Sequence, residues 1–216
     1  MDAYDQVLAG IADAERAAGR PCGSAKLVAV SKTFPVDSIQ RVYDRGQRIF
    51  GESRVEELMQ KATTLPHDIE WHFIGHLQNN KVKKVLEYAC MIHSVDSIRL
   101  LERIDRLAGE LGKCPQLLLE VNVSGEVSKY GFSAEELPEA VRRARELANI
   151  ELSGLMTMAP LDATEDELLR VFSALKSLAD NMEIAELSMG MSGDYVEAIA
   201  CGATLVRIGS AIFGGR

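Results

Sequence analysis

Short apolar runs alternate with longer amphipathic segments along the whole chain. The length of the apolar runs, their branched residues and the turn residues beside them are typical of β-strands. There are eight such runs, at residues 26–31, 48–51, 70–74, 90–95, 116–122, 151–155, 185–189 and 204–208. Between them, apolar residues recur at spacings of three and four, which predicts helices at 36–45, 54–62, 81–88, 97–111, 134–148 and 166–181.

This alternation predicts an α/β fold whose parallel strands are joined by right-handed helical crossovers. Eight strand–helix units favour a single-domain, closed (β/α)8 TIM barrel over residues 1–216. An open, doubly wound sheet of about five to seven strands is the alternative. A further helical segment at 4–18 precedes the first strand. Because few residues follow residue 211, we expect this extra N-terminal helix to cover the barrel beside its last strand.

Two of the predicted helices carry stronger local signals. The stripe of segment 97–111 consists of Ile98, Leu101, Ile104, Leu107 and Leu111. Ahead of segment 166–181, Asp162 and Thr164 are candidate caps because their side chains can accept a hydrogen bond from the first turn.

The composition is that of a globular protein with an acidic surface. The chain has 216 residues, 47% of them hydrophobic and 26% charged, and a formal net charge of −8. Such a surface repels polyanions, so nucleic acids and anionic membranes are not expected partners. No apolar stretch approaches the roughly 20 residues of a membrane span, and the acidic N-terminal segment is not typical of a signal peptide. We therefore expect a cytoplasmic protein.

Cysteine and histidine spacing predicts no metal site. Cys22, Cys90, Cys114 and Cys201 contain no CxxC pair, and we expect them to be reduced. The four histidines, at 67, 72, 76 and 93, show no HExxH or other repeated ligand spacing.

Lys32 is the first candidate for chemistry. In α/β barrels and open sheets, functional side chains collect beyond the C-terminal ends of the strands. Lys32 follows the apolar strand LVAVS, so we expect its side chain to point into the mouth of the barrel. Loss of hydration there favours a neutral amine that can attack a carbonyl and form a Schiff base. The alternative is a solvated strand-end lysine or a salt bridge with Glu52.

Two glycine- and serine-rich loops follow the predicted seventh and eighth strands, where barrels of this type commonly bind phosphate. They read SMGMSGD (188–194) and RIGSAIFGG (207–215). Their glycines permit close approach of backbone N–H groups and their serines offer hydroxyls, although ordinary turns use the same residues. Arg207, between two apolar residues, requires either a ligand or a partner such as Glu120.

Long stretches of the chain resemble the pyridoxal-phosphate homeostasis protein family, whose members are similar to the N-terminal barrel domain of alanine racemase. The similar stretches are LVAVSKTFP (27–35), FGESRVEE (50–57), WHFIGHLQNNK (71–81), VNVSGEVSKYGF (121–132), GLMTMAP (154–160) and LSMGMSGDYVEAIACGATLVRIGSAIFG (187–214). The chain departs from the family pattern at Ser53-Arg54, where the family often has Asn followed by an aromatic residue.

The resemblance implies pyridoxal 5′-phosphate (PLP) as the cofactor and Lys32 as the residue that holds it as an aldimine. It places the phosphate among Ser192, Gly209 and Ser210, and Arg207 beside the pyridine nitrogen. Ser53 and Met191 complete the implied cofactor-binding set. A cationic partner disfavours protonation of the ring nitrogen and weakens the electron sink that carbanion chemistry uses.

The leading functional prediction is a non-catalytic carrier that buffers PLP and delivers it to PLP-dependent apoenzymes as transient clients. The resemblance also implies a monomer. One alternative is a PLP-dependent amino-acid racemase, which needs a second base opposite Lys32; Tyr130 and His76 are the candidates. The other is a phosphosugar enzyme of the barrel fold without a Schiff base.

Overall fold

Eight parallel strands close into a barrel in the computed structural model, which describes residues 2–125 and 130–215. In chain order the strands are β1 (Lys26–Val30), β2 (Ile49–Glu52), β3 (Glu70–Phe73), β4 (Met91–Val95), β5 (Gln116–Glu120), β6 (Glu151–Met156), β7 (Glu186–Ser188) and β8 (Leu205–Ile208). β8 pairs with β1 in a register that runs from Lys26 opposite Leu205 to Ala29 opposite Ile208. The predicted closed barrel is thus confirmed, and the open sheet is wrong.

Helices follow the strands and pack outside the barrel. They are α1 (Ala3–Ala17), α2 (Val36–Tyr43), α3 (Val55–Thr64), α4 (Val82–Tyr88), α5 (Ile98–Leu111), α6 (Leu137–Glu146), α7 (Glu165–Asn181), α8 (Tyr195–Ala200) and α9 (Ser210–Phe213). α6 begins three residues later than predicted, because a turn with mutual Ser133–Glu136 hydrogen bonds precedes it and Pro138 occupies its first turn. Thr164 caps α7 in a capping box with Glu167, so of the two candidate caps Thr164 is the one used.

The extra N-terminal helix fills the position predicted for it. α1 packs against α8 and the four-residue α9, beside the last strand. Its buried face includes Tyr4, Val7, Ile11 and Ala14. In α5 the buried face differs from the predicted stripe at its edges. Leu100 and Ala108 are buried as well, whereas Ile98 and Leu111 are only partly buried. Contacts with the neighbouring helices α4 and α6 account for this broader face.

Side chains inside the barrel form two layers. The inner apolar layer consists of Val28, Met91, Leu118, Met156 and Leu205, which form a cluster separate from the main core between strands and helices. Side chains on a strand alternate between its two faces, so the residue two positions further on points inward again. On β4, β5 and β8 these residues are His93, Glu120 and Arg207, all of them buried. An inner polar layer therefore lies between the apolar layer and the C-terminal mouth.

None of the helices within the described ranges combines the length and the apolar character that crossing a bilayer requires. Residues 2–125 and 130–215 also contain no group of three or more potential metal-ligating side chains.

Candidate functional site

A cavity of about 420 Å³ opens at the C-terminal ends of β1, β6, β7 and β8. Six of the predicted site residues line it: Lys32, Met191, Ser192, Arg207, Gly209 and Ser210. These residues come from three separate strand ends, which parallel strand order brings to one face of the barrel. Ser53, at the end of β2, is not among the lining residues, so its contact with a cofactor stays a prediction.

Lys32 lies at the cavity wall with its side chain half-buried. Within the described part of the chain its amine has no hydrogen-bond or ion-pair partner. Glu52, the alternative partner considered from the sequence, instead binds Lys61, whose Nζ lies 2.7 Å from Glu52 Oε1. The Lys32 amine is therefore available to a ligand in the cavity.

A buried network fixes the backbone on either side of Lys32. Lys61 Nζ donates to the Ser31 carbonyl oxygen at 2.9 Å, and the Ser31 hydroxyl donates to Glu52 Oε1 at 2.6 Å. Glu57 joins the network, because its Oε2 accepts from Lys61 Nζ at 2.9 Å and from the Thr33 N–H at 2.6 Å. Thr33 has a φ of 70°, a left-handed conformation that costs a non-glycine residue energy unless its surroundings hold it. These contacts hold both neighbours of Lys32.

Glu52 depends strongly on Lys61. Burial raises the pKa of the Glu52 carboxyl, and the hydrogen bonds from Lys61 and Ser31 oppose that rise. Its second oxygen, Oε2, is buried with no hydrogen-bond partner in the described structure. Sequence reasoning missed Lys61, because a lysine on a surface helix is normally exposed, whereas this one is 5% exposed.

The two glycine- and serine-rich loops lie against each other. The Gly209 N–H donates to Ser192 Oγ at 3.4 Å, which joins the loop after β7 to the loop after β8. Asp194 Oδ1 accepts from the Met191 N–H at 2.5 Å and so closes the first loop on itself. A Cβ added to Gly209 would lie 2.9 Å from the Val30 carbonyl oxygen, so this position requires a residue without a side chain.

Arg207 is held by neutral acceptors. Its Nη1 donates to Ser188 Oγ at 2.5 Å and its Nη2 to the Thr157 carbonyl oxygen at 3.0 Å. Burial lowers the pKa of the guanidinium to about 10, and the charges of Asp194 and Glu120 oppose that shift, so Arg207 stays cationic at neutral pH. The ion pair with Glu120 considered from the sequence does not form.

Glu120 is a second buried ionisable group in the inner polar layer. Burial and, to a smaller extent, the charge of Asp96 raise the pKa of its carboxyl to about 7, and the charge of Arg207 opposes this rise. A carboxyl group with this pKa is partly protonated at neutral pH, so Glu120 cannot neutralise Arg207 completely.

His72 and His93, which show no metal-ligand spacing in the sequence, contact each other inside the barrel. His93 Nε2 lies 2.9 Å from His72 Nδ1, and His93 Nδ1 lies 2.8 Å from Ser188 Oγ. Burial, with a smaller contribution from the charge of Lys26, lowers the pKa of His72 to about 4. The pKa of His93 is also well below its ordinary value because of burial, with His72 and Arg207 adding to the effect. Both imidazoles are therefore neutral at pH 7.

We expect acid to destabilise the protein through His72. Its pKa is about 4 in the folded state and about 6.5 in the unfolded state, so its contribution is complete above pH 6.5 and is lost as pH falls toward 4, about 3 kcal/mol in all. Urea unfolding at pH 7 and pH 5 measures this loss. His72→Phe should reduce the difference in unfolding free energy between pH 7 and pH 5 by about 2 kcal/mol. His67→Phe, at an exposed histidine, is the matched control and should leave the difference unchanged. If His72→Phe left this difference in unfolding free energy unchanged, the lowered pKa of His72 would be contradicted.

The two candidate second bases lie elsewhere in the mouth. The rings of His76 and Tyr130 stack with their centroids 4.0 Å apart, and His76 Nδ1 lies 3.2 Å from Asp96 Oδ2. Neither side chain is among those that line the cavity. Residues 126–129 of the similar stretch 121–132 lie outside the described residues.

Comparison with known proteins identifies the family. The family model described as "Alanine racemase, N-terminal domain" matches residues 5–216. The chain is 43% identical over 201 residues to the pyridoxal phosphate homeostasis protein of Synechocystis sp., covering 89% of this chain and 92% of that protein. The chain belongs to the pyridoxal phosphate homeostasis protein family. The relative of the same name from Aquifex aeolicus is 40% identical over 218 residues, covering 98% of this chain and 96% of that protein.

Solved structures agree with this membership. The structure of PipY from Synechococcus elongatus with PLP bound has a TM-score of 0.83 and 38% identity, and the match covers 94% of this chain and all of PipY. Alanine racemase from Clostridium difficile has a TM-score of 0.76 but only 15% identity, so that likeness concerns the fold alone. The match covers 99% of this chain but 56% of the racemase.

Proposed function

We propose that the protein binds PLP in the cavity, holds it reversibly through Lys32 and buffers or delivers it without catalysing a reaction of its own. One observation carries this proposal. An unpartnered lysine amine, the two glycine- and serine-rich loops and a buried arginine all line the same cavity. The relative PipY, whose solved structure contains PLP, supports the choice of ligand.

The residues present fit this cofactor. Pyridoxal phosphate supplies an aldehyde carbon that a primary amine can attack. In the proposed role, Lys32 Nζ forms a bond to that carbon as water leaves, and hydrolysis or exchange with another amine reverses it. Ser192 and Ser210 offer hydroxyl donors to the phosphate, and Gly209 allows its backbone to approach closely. Met191 contributes to the cavity wall between them.

In this proposal Arg207 faces the pyridine nitrogen. An arginine donates hydrogen bonds and cannot accept one, so it favours an unprotonated ring nitrogen. The ring then withdraws electrons weakly, which suits retention of the cofactor better than carbanion chemistry.

The cavity also supports a carrier over a racemase. Racemisation requires a proton donor or acceptor on each face of the substrate. Apart from Lys32, the titratable side chains among the described lining residues are Asp194, whose carboxylate binds the Met191 N–H, and Arg207, which is held by Ser188 and Thr157.

We propose that the protein acts as a monomer and that apoenzymes are its transient clients.

Reductive trapping tests this function directly. The wild-type protein is mixed with PLP or with pyridoxal, which lacks the phosphate, treated with borohydride and digested for mass spectrometry. We expect a PLP adduct on the peptide that contains Lys32, more complete than the pyridoxal adduct, and no D-alanine after incubation with L-alanine. An adduct spread over exposed lysines would contradict a specific site. If the protein were instead a phosphosugar enzyme, no adduct would form. Accumulation of D-alanine would favour the racemase.

A further inference from the structure

Three buried side chains extend inward from Arg207 across the barrel. Arg207 Nη1 lies 2.5 Å from Ser188 Oγ, which lies 2.8 Å from His93 Nδ1. His93 Nε2 lies 2.9 Å from His72 Nδ1. The four residues belong to β8, β7, β4 and β3, and none is more than 5% exposed. They form a continuous chain of hydrogen bonds between buried side chains.

Hydrogen-bonding chemistry favours one direction for this chain, because His93 Nδ1 is the acceptor that the described residues offer to the Ser188 hydroxyl proton. Arginine can only donate, so Ser188 Oγ accepts from Arg207. The single Ser188 hydroxyl proton is then free to point at His93 Nδ1, which accepts as the unprotonated nitrogen of a neutral ring. His93 therefore carries its proton on Nε2 and donates to His72 Nδ1, so His72 is also protonated on Nε2. In this arrangement Arg207 donates to Ser188, Ser188 to His93, and His93 to His72.

Protonation of His93 would break this order. A proton on Nδ1 would leave Ser188 Oγ to accept from two cations, the imidazolium and the guanidinium, inside the barrel. That arrangement is unfavourable at low dielectric constant. The position of Arg207 is therefore coupled to the neutral state of His93.

The other charged groups near this chain of hydrogen bonds do not hold Arg207 in its place. Glu120 and Asp194 are the carboxyl groups that act on Arg207, yet neither forms an ion pair with it within the described ranges. Asp96 acts on Glu120, and Lys26 acts on His72 from β1. Because Ser188 and the Thr157 carbonyl are uncharged acceptors, they fix the guanidinium while leaving its positive charge directed at the cavity.

We propose that Ser188 and His93, supported by His72, are positioning residues for Arg207. They hold the guanidinium at the cavity wall in one orientation and set how strongly it acts on a ligand there. The consequence for PLP rests on the proposed function, whereas the direction of the chain does not.

The first test uses the ligand-free protein. Long-range ¹⁵N NMR correlations of the imidazole rings report which nitrogen carries the proton. We expect His93 and His72 to be neutral and protonated on Nε2 from about pH 6 to about pH 8. A proton on His93 Nδ1, or an imidazolium ring in this range, would overturn the proposal.

The second test follows PLP binding in matched variants. His93→Phe removes the acceptor for Ser188 and is expected to weaken PLP binding about tenfold and to change the pH dependence of its visible absorption. His93→Asn places an amide oxygen near the position of Nδ1 and should bind within about threefold of wild type. His67→Phe is the control for the same substitution on the surface. If His93→Phe fails to fold, Ser188→Ala removes the same link with a smaller change.

The outcomes separate the two proposals. If wild type does not bind PLP, the proposed function fails, and the NMR measurement still decides the direction of the chain. If wild type binds PLP and both His93→Phe and Ser188→Ala bind it with unchanged affinity and spectrum, the chain is only structural and the positioning role is wrong. Rescue by His93→Asn supports the positioning role, because a merely space-filling imidazole would not require an acceptor at that point.

Discussion

Replacing Lys32 with alanine is expected to abolish the borohydride-stable link to PLP and to weaken retention of PLP roughly a hundredfold, equivalent to about 3 kcal/mol. The reason is that the half-buried Lys32 carries the only unpartnered amine among the described residues that line the cavity. The phosphate loops remain intact in this variant, so weak non-covalent binding should persist. Titration followed by absorption, together with mass spectrometry after reduction, measures both effects.

Lys32→Arg is the matched control, because it keeps the positive charge and most of the length but loses the nucleophilic amine. It should fail to form the adduct as completely as Lys32→Ala does. Full retention of a reducible adduct in either variant would mean that another lysine holds the cofactor. Thermal unfolding of both variants should stay close to that of wild type, since Lys32 has no partner to lose among the described residues.

Replacing Lys61 with methionine is expected to destabilise the protein by about 3–5 kcal/mol, because it leaves the Glu52 carboxyl buried without its cation. Lys61 makes three hydrogen bonds, to the Ser31 carbonyl and to the carboxylates of Glu52 and Glu57. PLP binding should weaken as well, since these contacts hold both neighbours of Lys32. The free energy of unfolding from urea titration gives the first effect, and PLP titration gives the second.

Two further variants make this expectation specific. Lys81→Met removes a surface ion pair with Glu56, which is worth at most about 1 kcal/mol. The double variant Glu52→Leu with Lys61→Met removes both buried charges and should recover much of the lost stability. A cost below about 1 kcal/mol for Lys61→Met would show that the buried network contributes little.

The regular parts of the fold were predictable because they depend on local periodicity. All eight strands overlap the predicted runs, and α1 packs beside the last strand, as predicted. The cavity residues were also predictable, since parallel strands bring their C-terminal ends together whatever the side chains are. Lys32, Ser192 and Arg207 meet for that reason.

The partners of these residues could not be predicted in the same way. Lys61 contacts Glu52 because α3 folds back on β2, and the sequence shows it only as one helical lysine among several. His93 and Ser188 are 95 positions apart, and their contact depends on both side chains pointing into the barrel. Register shifts also interrupt the pairing of β4 with β5 and of β5 with β6, and the sequence does not show where they fall.

The inner apolar layer has a consequence for exchange kinetics. Because Val28, Met91, Leu118, Met156 and Leu205 pack together inside the barrel, a cavity ligand has its path to bulk water on the C-terminal side. Loading and unloading then share one opening and cannot occur at the same time. A receiving enzyme would have to approach that same opening, where Leu161 is 93% exposed. In the proposed function, the rate of direct transfer to a client would therefore be bounded by how often the opening is free of other molecules.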